Sequence, residues 1–115
     1  MLEVRYYLGD DGESPFAEWF SDLDPIARAK VTVAIARMEQ GNLARVKPVG
    51  EGVLEYKIDF GPGYRLYFGR DGDVLVILLT GGTKRRQQRD IERAAAFWRD
   101  YRRTRRATRS RTGEQ

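Results

Sequence analysis

The sequence predicts a single α+β domain whose elements follow the order β-α-α-β-β-β-α along the chain. Two observations predict this class: two proline-initiated helices follow a first strand, and the second half contains segments whose hydrophobic side chains recur every second residue. The length of 115 residues suits one domain with its own core. We therefore expect a mostly antiparallel, twisted sheet with a helix pair on one face and a further helix at the carboxyl end.

The first half of the chain predicts one strand and two helices. Residues 2–8 (LEVRYYL) are rich in β-branched and aromatic side chains, which are typical of a strand. Ser14-Pro15 and Asp24-Pro25 each combine an N-cap residue with a proline suited to the first helical position, so each pair predicts the start of a helix. The apolar residues of the second, longer helix recur at helical spacing: Ala27, Val31, Ala34, Ile35 and Met38.

The second half predicts three consecutive strands and a last helix. Residues 53–60 and 64–69 alternate between apolar and polar side chains, whereas residues 74–79 are apolar on both faces and so indicate an interior strand. We expect Gly81-Gly82 to end the sheet. The last helix is predicted from about residue 85 to residue 103, with an apolar stripe of Ile91, Ala94, Trp98 and Tyr101.

The charged residues are distributed unevenly along the chain. The net charge is +4, yet the segment from Arg99 onward contains seven arginines and two acidic residues. A cationic end suggests a polyanionic partner, and the alternative is a solvated surface with no partner. Because residues 104–115 contain almost no apolar side chains, we expect a disordered basic tail there, after a domain formed by residues 1–103.

The composition excludes several classes of functional site. The chain has no cysteine and no histidine, which removes disulfides, thiolate or imidazole metal sites and histidine general bases. Catalysis would use Lys, Arg, Tyr or carboxylate side chains, and we expect neither a metal nor a cofactor. The first residues lack the features of a signal peptide, and no apolar run approaches the ~20 residues that span a membrane. We therefore expect a cytoplasmic protein with no membrane partner.

The strand pattern predicts a polar surface on one face of the sheet. If the Gly-Pro-Gly segment forms a simple three-residue turn, Asp59 pairs with Arg65 and Lys57 pairs with Tyr67, although a bulge would shift this register by one. An Asp-Gly hairpin further along would place Arg65 opposite Leu78. Lys57, Arg65 and Tyr67 then lie on the same face.

This surface suits a phosphodiester. The guanidinium of Arg65 offers a planar pair of donors to phosphate oxygens, and Lys57 and Lys84 offer point charges. The start of the last helix adds free N–H groups and the positive end of the helix dipole. Tyr67 would stack on a base or donate its hydroxyl. The alternative is a cross-strand ion pair between Asp59 and Arg65 on an ordinary solvated face.

Three segments of the chain carry a resemblance to a known family: residues 55–68, 79–84 and 87–94. In them a GPGYR turn is followed at a set distance by GGxK and QxxDI. Together they resemble the addiction-module killer (HigB/RelE-like) branch of the RelE/ParE toxin superfamily, and the resemblance covers essentially residues 1–101. It implies a RelE-like fold, metal-independent cleavage of mRNA on the ribosome, and neutralisation by a small antitoxin protein. That antitoxin usually has a helix-turn-helix, and operator DNA is bound only through it.

The resemblance also implies site residues. Lys57 matches the first basic residue of the active strand, Arg65 matches the arginine after the turn, and Lys84 or its neighbour Arg85 matches the basic residue after the last strand. Tyr67 is the nearest substitute for a tyrosine or histidine that the family often carries near its carboxyl end. The catalytic set is therefore Lys57, Arg65, Lys84 and Tyr67, and the expected RNA-binding residues are Arg85, Arg86 and Arg89.

Two departures from the family pattern keep other functions open. Asp59 stands where a second basic residue is common, and no tyrosine or histidine stands around Asp90. In the implied reaction the substrate 2′-hydroxyl attacks the adjacent phosphorus, and Arg65 and Lys84 neutralise the developing charge. One alternative is a ParE-like protein inhibitor of a topoisomerase, which needs no catalytic residues. The other is a non-catalytic nucleic-acid-binding or co-repressor module.

Overall fold

The computed structural model describes residues 1–109. The first strand, β1 (Glu3–Tyr7), is followed by the helices α1 (Pro15–Ser21) and α2 (Pro25–Glu39). Four strands come next: β2 (Val46–Gly50), β3 (Val53–Ile58), β4 (Tyr64–Asp71) and β5 (Leu75–Thr83). A 3₁₀ turn (Lys84–Arg86) leads into α3 (Gln87–Thr104), and a short strand, β6 (Ala107–Arg109), follows. The α+β class and the predicted order are confirmed, and the layout is compatible with a RelE-like fold; β2 and β6 are strands that the sequence did not predict.

Both amino-terminal helices begin at their predicted caps. The Ser14 hydroxyl accepts a hydrogen bond from the Ala17 N–H at 3.0 Å, and the Asp24 carboxylate accepts one from the Ala27 N–H at 2.9 Å. In both helices a proline occupies the first turn, where its missing N–H has no intrahelical partner to lose. Each cap contributes about 1 kcal/mol to the free energy of unfolding.

The strands of the described part of the chain form one sheet in the order β2-β3-β4-β5-β1-β6. Strands β1 and β5 run parallel, and the other neighbours are antiparallel. Helices α1 and α2 cover one face, over Leu66 and Phe68, and α3 covers the opposite face, over Tyr67. Strand β5 is therefore buried on both faces, as its two-sided apolar sequence predicts.

Strands β3 and β4 are paired two positions away from the predicted register. Lys57 pairs with Arg65 and Glu55 pairs with Tyr67, so the predicted pairs Asp59–Arg65 and Lys57–Tyr67 are wrong. The cause is the connection, which has five residues instead of the predicted three. Because a shift of two positions keeps every side chain on its own face, Lys57, Arg65 and Tyr67 still share one face of the sheet.

Strand β5 is longer than the sequence predicted. Its pairing with β4 starts at Leu75, and after an irregularity at Tyr67 it brings Gly82 opposite Arg65. The predicted pair of Arg65 with Leu78 is therefore wrong. The prediction that the two glycines end the sheet is also wrong, because the strand continues to Thr83.

Gly81 and Gly82 lie within β5 because neighbouring side chains occupy the space that a Cβ would need. A Cβ on Gly81 would collide with the indole ring of Trp19 on α1, and a Cβ on Gly82 would collide with the carboxylate of Asp90 on α3. Glycine inside a strand often marks such a close approach. The two glycines thus let one helix on each face pack directly against the backbone of β5.

Regular structure continues beyond the predicted end of the domain at residue 103. Helix α3 ends at Thr104, and the residues of β6 pair with β1. The Arg106 side chain donates to the Asp100 carboxylate at 2.8 Å and to the Leu8 carbonyl at 3.3 Å. Disorder was therefore the wrong prediction for residues 104–109, since part of their charge is paired and their backbone bonds to β1. The rest of the predicted tail, residues 110–115, lies outside the described residues.

Candidate functional site

Five polar side chains, which we call the charged cluster, lie between the sheet and the first turns of α3. They are linked by hydrogen bonds, ion pairs or electrostatic interactions, and all but one are buried: Glu55, Arg65, Tyr67, Gln87 and Asp90. The cluster occupies the end of the sheet at which β3 turns into β4 and β5 runs into the 3₁₀ turn. This is the region where the sequence predicted a phosphodiester surface, but α3 covers part of it.

Glu55 is the centre of the charged cluster. It is only 1% exposed, and its carboxylate accepts a hydrogen bond from the Gln87 side chain at 2.7 Å. The same carboxylate lies 3.6 Å from the Arg65 Nε and 3.8 Å from the Lys47 Nζ. A buried carboxylate is tolerated when it is paired in this way. The sequence analysis assigned Glu55 no role.

Arg65 is a buried arginine with unused hydrogen-bond donors. The residue is 5% exposed, and its Nε and Nη1 groups are buried without a hydrogen-bond partner. A Cβ on Gly63 would lie 3.2 Å from the Arg65 Nη1 and 3.4 Å from the Lys84 Cβ, so the guanidinium lies beside the β3–β4 turn and Lys84. Gly63 also has a φ of +80°, which a residue with a side chain rarely adopts. Unused donors of a buried guanidinium suit an anionic ligand such as a phosphate.

Tyr67 does not lie where the sequence predicted. Its side chain is fully buried in the core beneath α3, so the expected position on an open surface, stacked on a base, is wrong. Burial raises the pKa of the Tyr67 hydroxyl above its ordinary value, and the nearby Glu55 carboxylate raises it further. The prediction failed because the alternation in β4 was interpreted as one buried face and one solvated face. Helix α3 buries the second face as well.

Asp90 is a site residue that the sequence analysis missed. It is 5% exposed and lies against the backbone of Gly82, the partner of Arg65 in the sheet. Burial raises the pKa of the Asp90 carboxyl, although Arg93, Arg86 and Arg89 act in the opposite direction. The glycine in the GGxK motif was the available signal, because it makes room for this carboxylate.

Exposed cations form a rim around the charged cluster. The Lys57 side chain is 51% exposed and lies 3.5 Å from the Asp59 carboxylate. Four further exposed cations lie in the 3₁₀ turn and the first turn of α3, and within the described part of the chain no carboxylate forms a salt bridge with them, although Arg86 and Arg89 act on Asp90 electrostatically: Lys84, Arg85, Arg86 and Arg89. Of the predicted catalytic residues, Lys57 and Lys84 lie next to Arg65, and of the predicted RNA-binding residues Arg86 and Arg89 lie near Asp90.

The described residues contain no group of three or more acidic, histidine or cysteine side chains that could hold a metal ion. No helix in that same part of the chain is long and apolar enough to cross a membrane.

Comparison with known proteins identifies the family. The family model described as Phage derived protein Gp49-like matches residues 18–98, which include the whole charged cluster and its rim. The chain belongs to this family. An uncharacterized protein of Haemophilus influenzae is 44% identical over 80 residues, which cover 69% of this chain and 81% of the relative. The Gp49-like family is toxin-like, of the RelE/HigB addiction-module type, and this supports the toxin class of function.

Proposed function

We propose that this Gp49-like protein is the toxin of a type II toxin–antitoxin system, of the addiction-module killer branch, and that it cleaves mRNA on the ribosome without a metal ion. The observation that carries the proposal is Arg65, a buried guanidinium with two donor groups that have no hydrogen-bond partner, beside a rim of exposed cations. Such an arrangement suits a phosphate that gains negative charge during a reaction. Inside a toxin-like family, the corresponding substrate is the RNA backbone.

In the proposed reaction the 2′-hydroxyl of one nucleotide gives up its proton to water and attacks the adjacent phosphorus, the bond from that phosphorus to the 5′-oxygen of the next nucleotide breaks, and the products are a 2′,3′-cyclic phosphate and a 5′-hydroxyl. Arg65 and Lys84 stabilise the extra negative charge on the phosphoryl oxygens, and such electrostatic stabilisation commonly contributes more than any other effect to catalysis. Lys57, which pairs with Arg65 in the sheet, adds positive charge at the exposed side. Arg85, Arg86 and Arg89 hold the flanking RNA backbone.

Proton transfer to the leaving 5′-oxygen needs a further group. Tyr67, the nearest substitute for the tyrosine or histidine that the family often carries, is fully buried beneath α3 and does not reach a substrate in this arrangement. Asp90 lies against the backbone of Gly82, the partner of Arg65 in the sheet, and burial raises the pKa of its carboxyl, which favours the protonated form. We therefore assign Asp90 as the candidate proton donor in place of Tyr67.

The proposed partners follow from the proposed function. A small antitoxin protein, with a helix-turn-helix as in related modules, would bind and neutralise the toxin, and operator DNA would be contacted only through it. The mRNA and the ribosome are the proposed targets. One observation favours the non-catalytic binding module as a second candidate: Arg65 is 5% exposed, so a substrate phosphate has narrow access to it.

The proposal is tested by inducing the protein in cells and mapping the 5′ ends of transcripts. We expect growth to stop and new 5′ ends to accumulate within translated regions, and co-expression of the antitoxin from a neighbouring gene should prevent both effects. Cleavage of ribosome-bound mRNA by the purified protein should persist in excess chelator once ribosome integrity is controlled. Growth arrest without new RNA ends would instead support the topoisomerase inhibitor, and no arrest would support the co-repressor module.

A further inference from the structure

A second basic surface lies on the opposite face of the sheet. A groove of about 220 Å³ separates α2 from the end of β3, and we call it the α2–β3 groove. Its floor includes Tyr56 and Ile58, whose side chains pack with the core beneath α1 and α2. Four exposed cations line it: Lys30, Arg37, Arg45 and Lys57.

The positive charge of the α2–β3 groove is only partly compensated. The Asp59 carboxylate, which also lines the groove, lies 3.5 Å from Arg45 and 3.5 Å from Lys57. Lys30 and Arg37 form no ion pair within the described part of the chain, and Lys30 Nζ lies 4.9 Å from the centre of the Phe60 ring. Lys30 and Arg37 are two turns apart on α2, which separates them by about 10 Å along the helix axis. The groove therefore presents a row of cations that suits a ligand with repeated negative charges.

The α2–β3 groove is continuous with the rim of the charged cluster. Strand β2 pairs with β3 only as far as Tyr56, so Lys57 and the residue after it lie at a free edge of the sheet. Lys57 lines the groove and also pairs with Arg65. A chain that passes over Arg65 can therefore continue around this edge and reach Arg37 without crossing another strand.

We propose that the α2–β3 groove binds the single-stranded RNA that flanks the cleaved bond; this inference rests on the proposed function. Cations spaced along the groove contact successive phosphates, and the apolar floor accepts a base or a sugar. The volume of about 220 Å³ is smaller than the about 300–1,000 Å³ of sites that enclose whole small molecules, and it is too small for a peptide helix. Continuity with Arg65 through Lys57 favours the substrate over an acidic segment of a partner protein.

The test compares the affinities of full-length variants for fluorescent, uncleavable 2′-O-methyl oligonucleotides of three and twelve nucleotides over a series of salt concentrations. Lys30→Ala/Arg37→Ala removes the two unpaired groove cations, and Arg99→Ala/Arg102→Ala is the matched control on the far part of α3. Both pairs of residues are exposed, so the variants should fold, which a thermal melt checks. Lys30→Glu/Arg37→Glu adds repulsion as a second groove variant.

We expect the alanine groove variant to bind the twelve-nucleotide RNA more weakly and with a shallower salt dependence, by about 0.7 log units per decade of salt for each phosphate that the variant no longer binds. The glutamate variant should bind still more weakly, and binding of the three-nucleotide RNA should not change. Equal effects of the control and groove variants, or an unchanged salt slope, would overturn the proposal. Loss of antitoxin binding with RNA binding intact would also overturn it and would assign the groove to a protein partner.

The same experiment distinguishes a wrong groove proposal from a wrong proposed function. If Arg65→Ala weakens binding of the three-nucleotide RNA while the groove variants behave like wild type, the proposed function stands and the groove proposal falls. If the wild-type protein fails to bind both oligonucleotides, with or without ribosomes, the groove proposal and the proposed function are both contradicted.

Discussion

Replacement of Glu55 probes how the buried guanidinium of Arg65 is held. Glu55→Ala removes the carboxylate that lies 3.6 Å from the Arg65 Nε and accepts the 2.7 Å hydrogen bond from Gln87. Arg65 would then keep its charge at 5% exposure without its buried counter-charge. The variant should therefore lose stability through an uncompensated buried cation rather than through poorer packing.

The size of this loss follows from the burial of both partners. Removing one member of a buried ion pair typically costs about 3–5 kcal/mol, and the 3.6 Å separation without a hydrogen bond favours the lower part of that range. A loss of about 3 kcal/mol lowers the Tm of a domain of this size by roughly 10 °C or more. Replacing both partners by apolar residues should cost much less, because no charge remains buried.

Urea unfolding followed by circular dichroism measures the effect in Glu55→Ala, Arg65→Met and the double variant Glu55→Leu/Arg65→Met. We expect the double variant to be more stable than Glu55→Ala, with a coupling energy of at least about 1 kcal/mol in the corresponding cycle. A loss below about 1 kcal/mol in Glu55→Ala, together with additive effects in the cycle, would refute the conclusion that Glu55 holds Arg65.

Three other predictions concern the elements around the site. Gly82→Ala should lower the free energy of unfolding by about 1–3 kcal/mol, as overpacking does, because the new Cβ collides with Asp90. Urea unfolding should show a smaller loss when Asp90 is also replaced by alanine. An equal loss in both backgrounds would contradict the close approach of Asp90 to Gly82. The raised pKa of Asp90 means that the folded state disfavours its charged form. Ionised Asp90 therefore lowers the free energy of unfolding above its folded pKa, and this loss disappears as the pH falls through that pKa. Asp90→Asn should therefore be more stable than wild type at pH 7, the difference should shrink toward pH 4, and RNA cleavage should slow; a pH-independent difference would exclude the titration of Asp90 as its cause. Ending the chain after Thr104 should give a lower Tm than ending it after Arg109, because only the shorter chain lacks β6 and the Arg106–Asp100 ion pair; equal Tm values for the two truncations would show that β6 adds no stability.

Local signals predicted the elements of the fold well. The two cap-and-proline pairs start α1 and α2 at the predicted residues, and the apolar stripe of α2 is buried as predicted. Strand alternation also placed Lys57, Arg65 and Tyr67 on one face, and a register error of two positions did not disturb that result. These features depend only on residues close in the sequence, and for that reason they can be predicted from the sequence.

Features that depend on distant contacts were not predictable in the same way. The five-residue connection set the register of β3 against β4, and the close approaches of Trp19 and Asp90 explain the two glycines of β5. One available signal was missed: a strand that is apolar on both faces needs a covering layer on each side. That rule would have placed α3 over Tyr67.

The buried members of the site escaped prediction for the same reason. Strand alternation assigns Glu55 to a solvated face, yet α3 covers that face, and Asp90 on α3 is buried because it packs against Gly82 of β5. The basic residues of the last segment misled in the opposite direction, since Arg106 pairs with Asp100 instead of remaining solvated. Charge along a sequence therefore does not identify which charges are paired.

The rate of RNA cleavage by Arg65→Ala tests the central claim most directly. Purified wild type, Arg65→Ala, Arg65→Lys and the control Arg99→Ala, which breaks an exposed ion pair with Glu51, are compared on ribosome-bound mRNA, with folding checked by circular dichroism. The account predicts a loss of roughly 10²–10³-fold for Arg65→Ala, the usual effect of losing one donor to a developing anion, a partial loss for Arg65→Lys and no loss for the control. Cleavage by a folded Arg65→Ala variant at the wild-type rate would contradict the account.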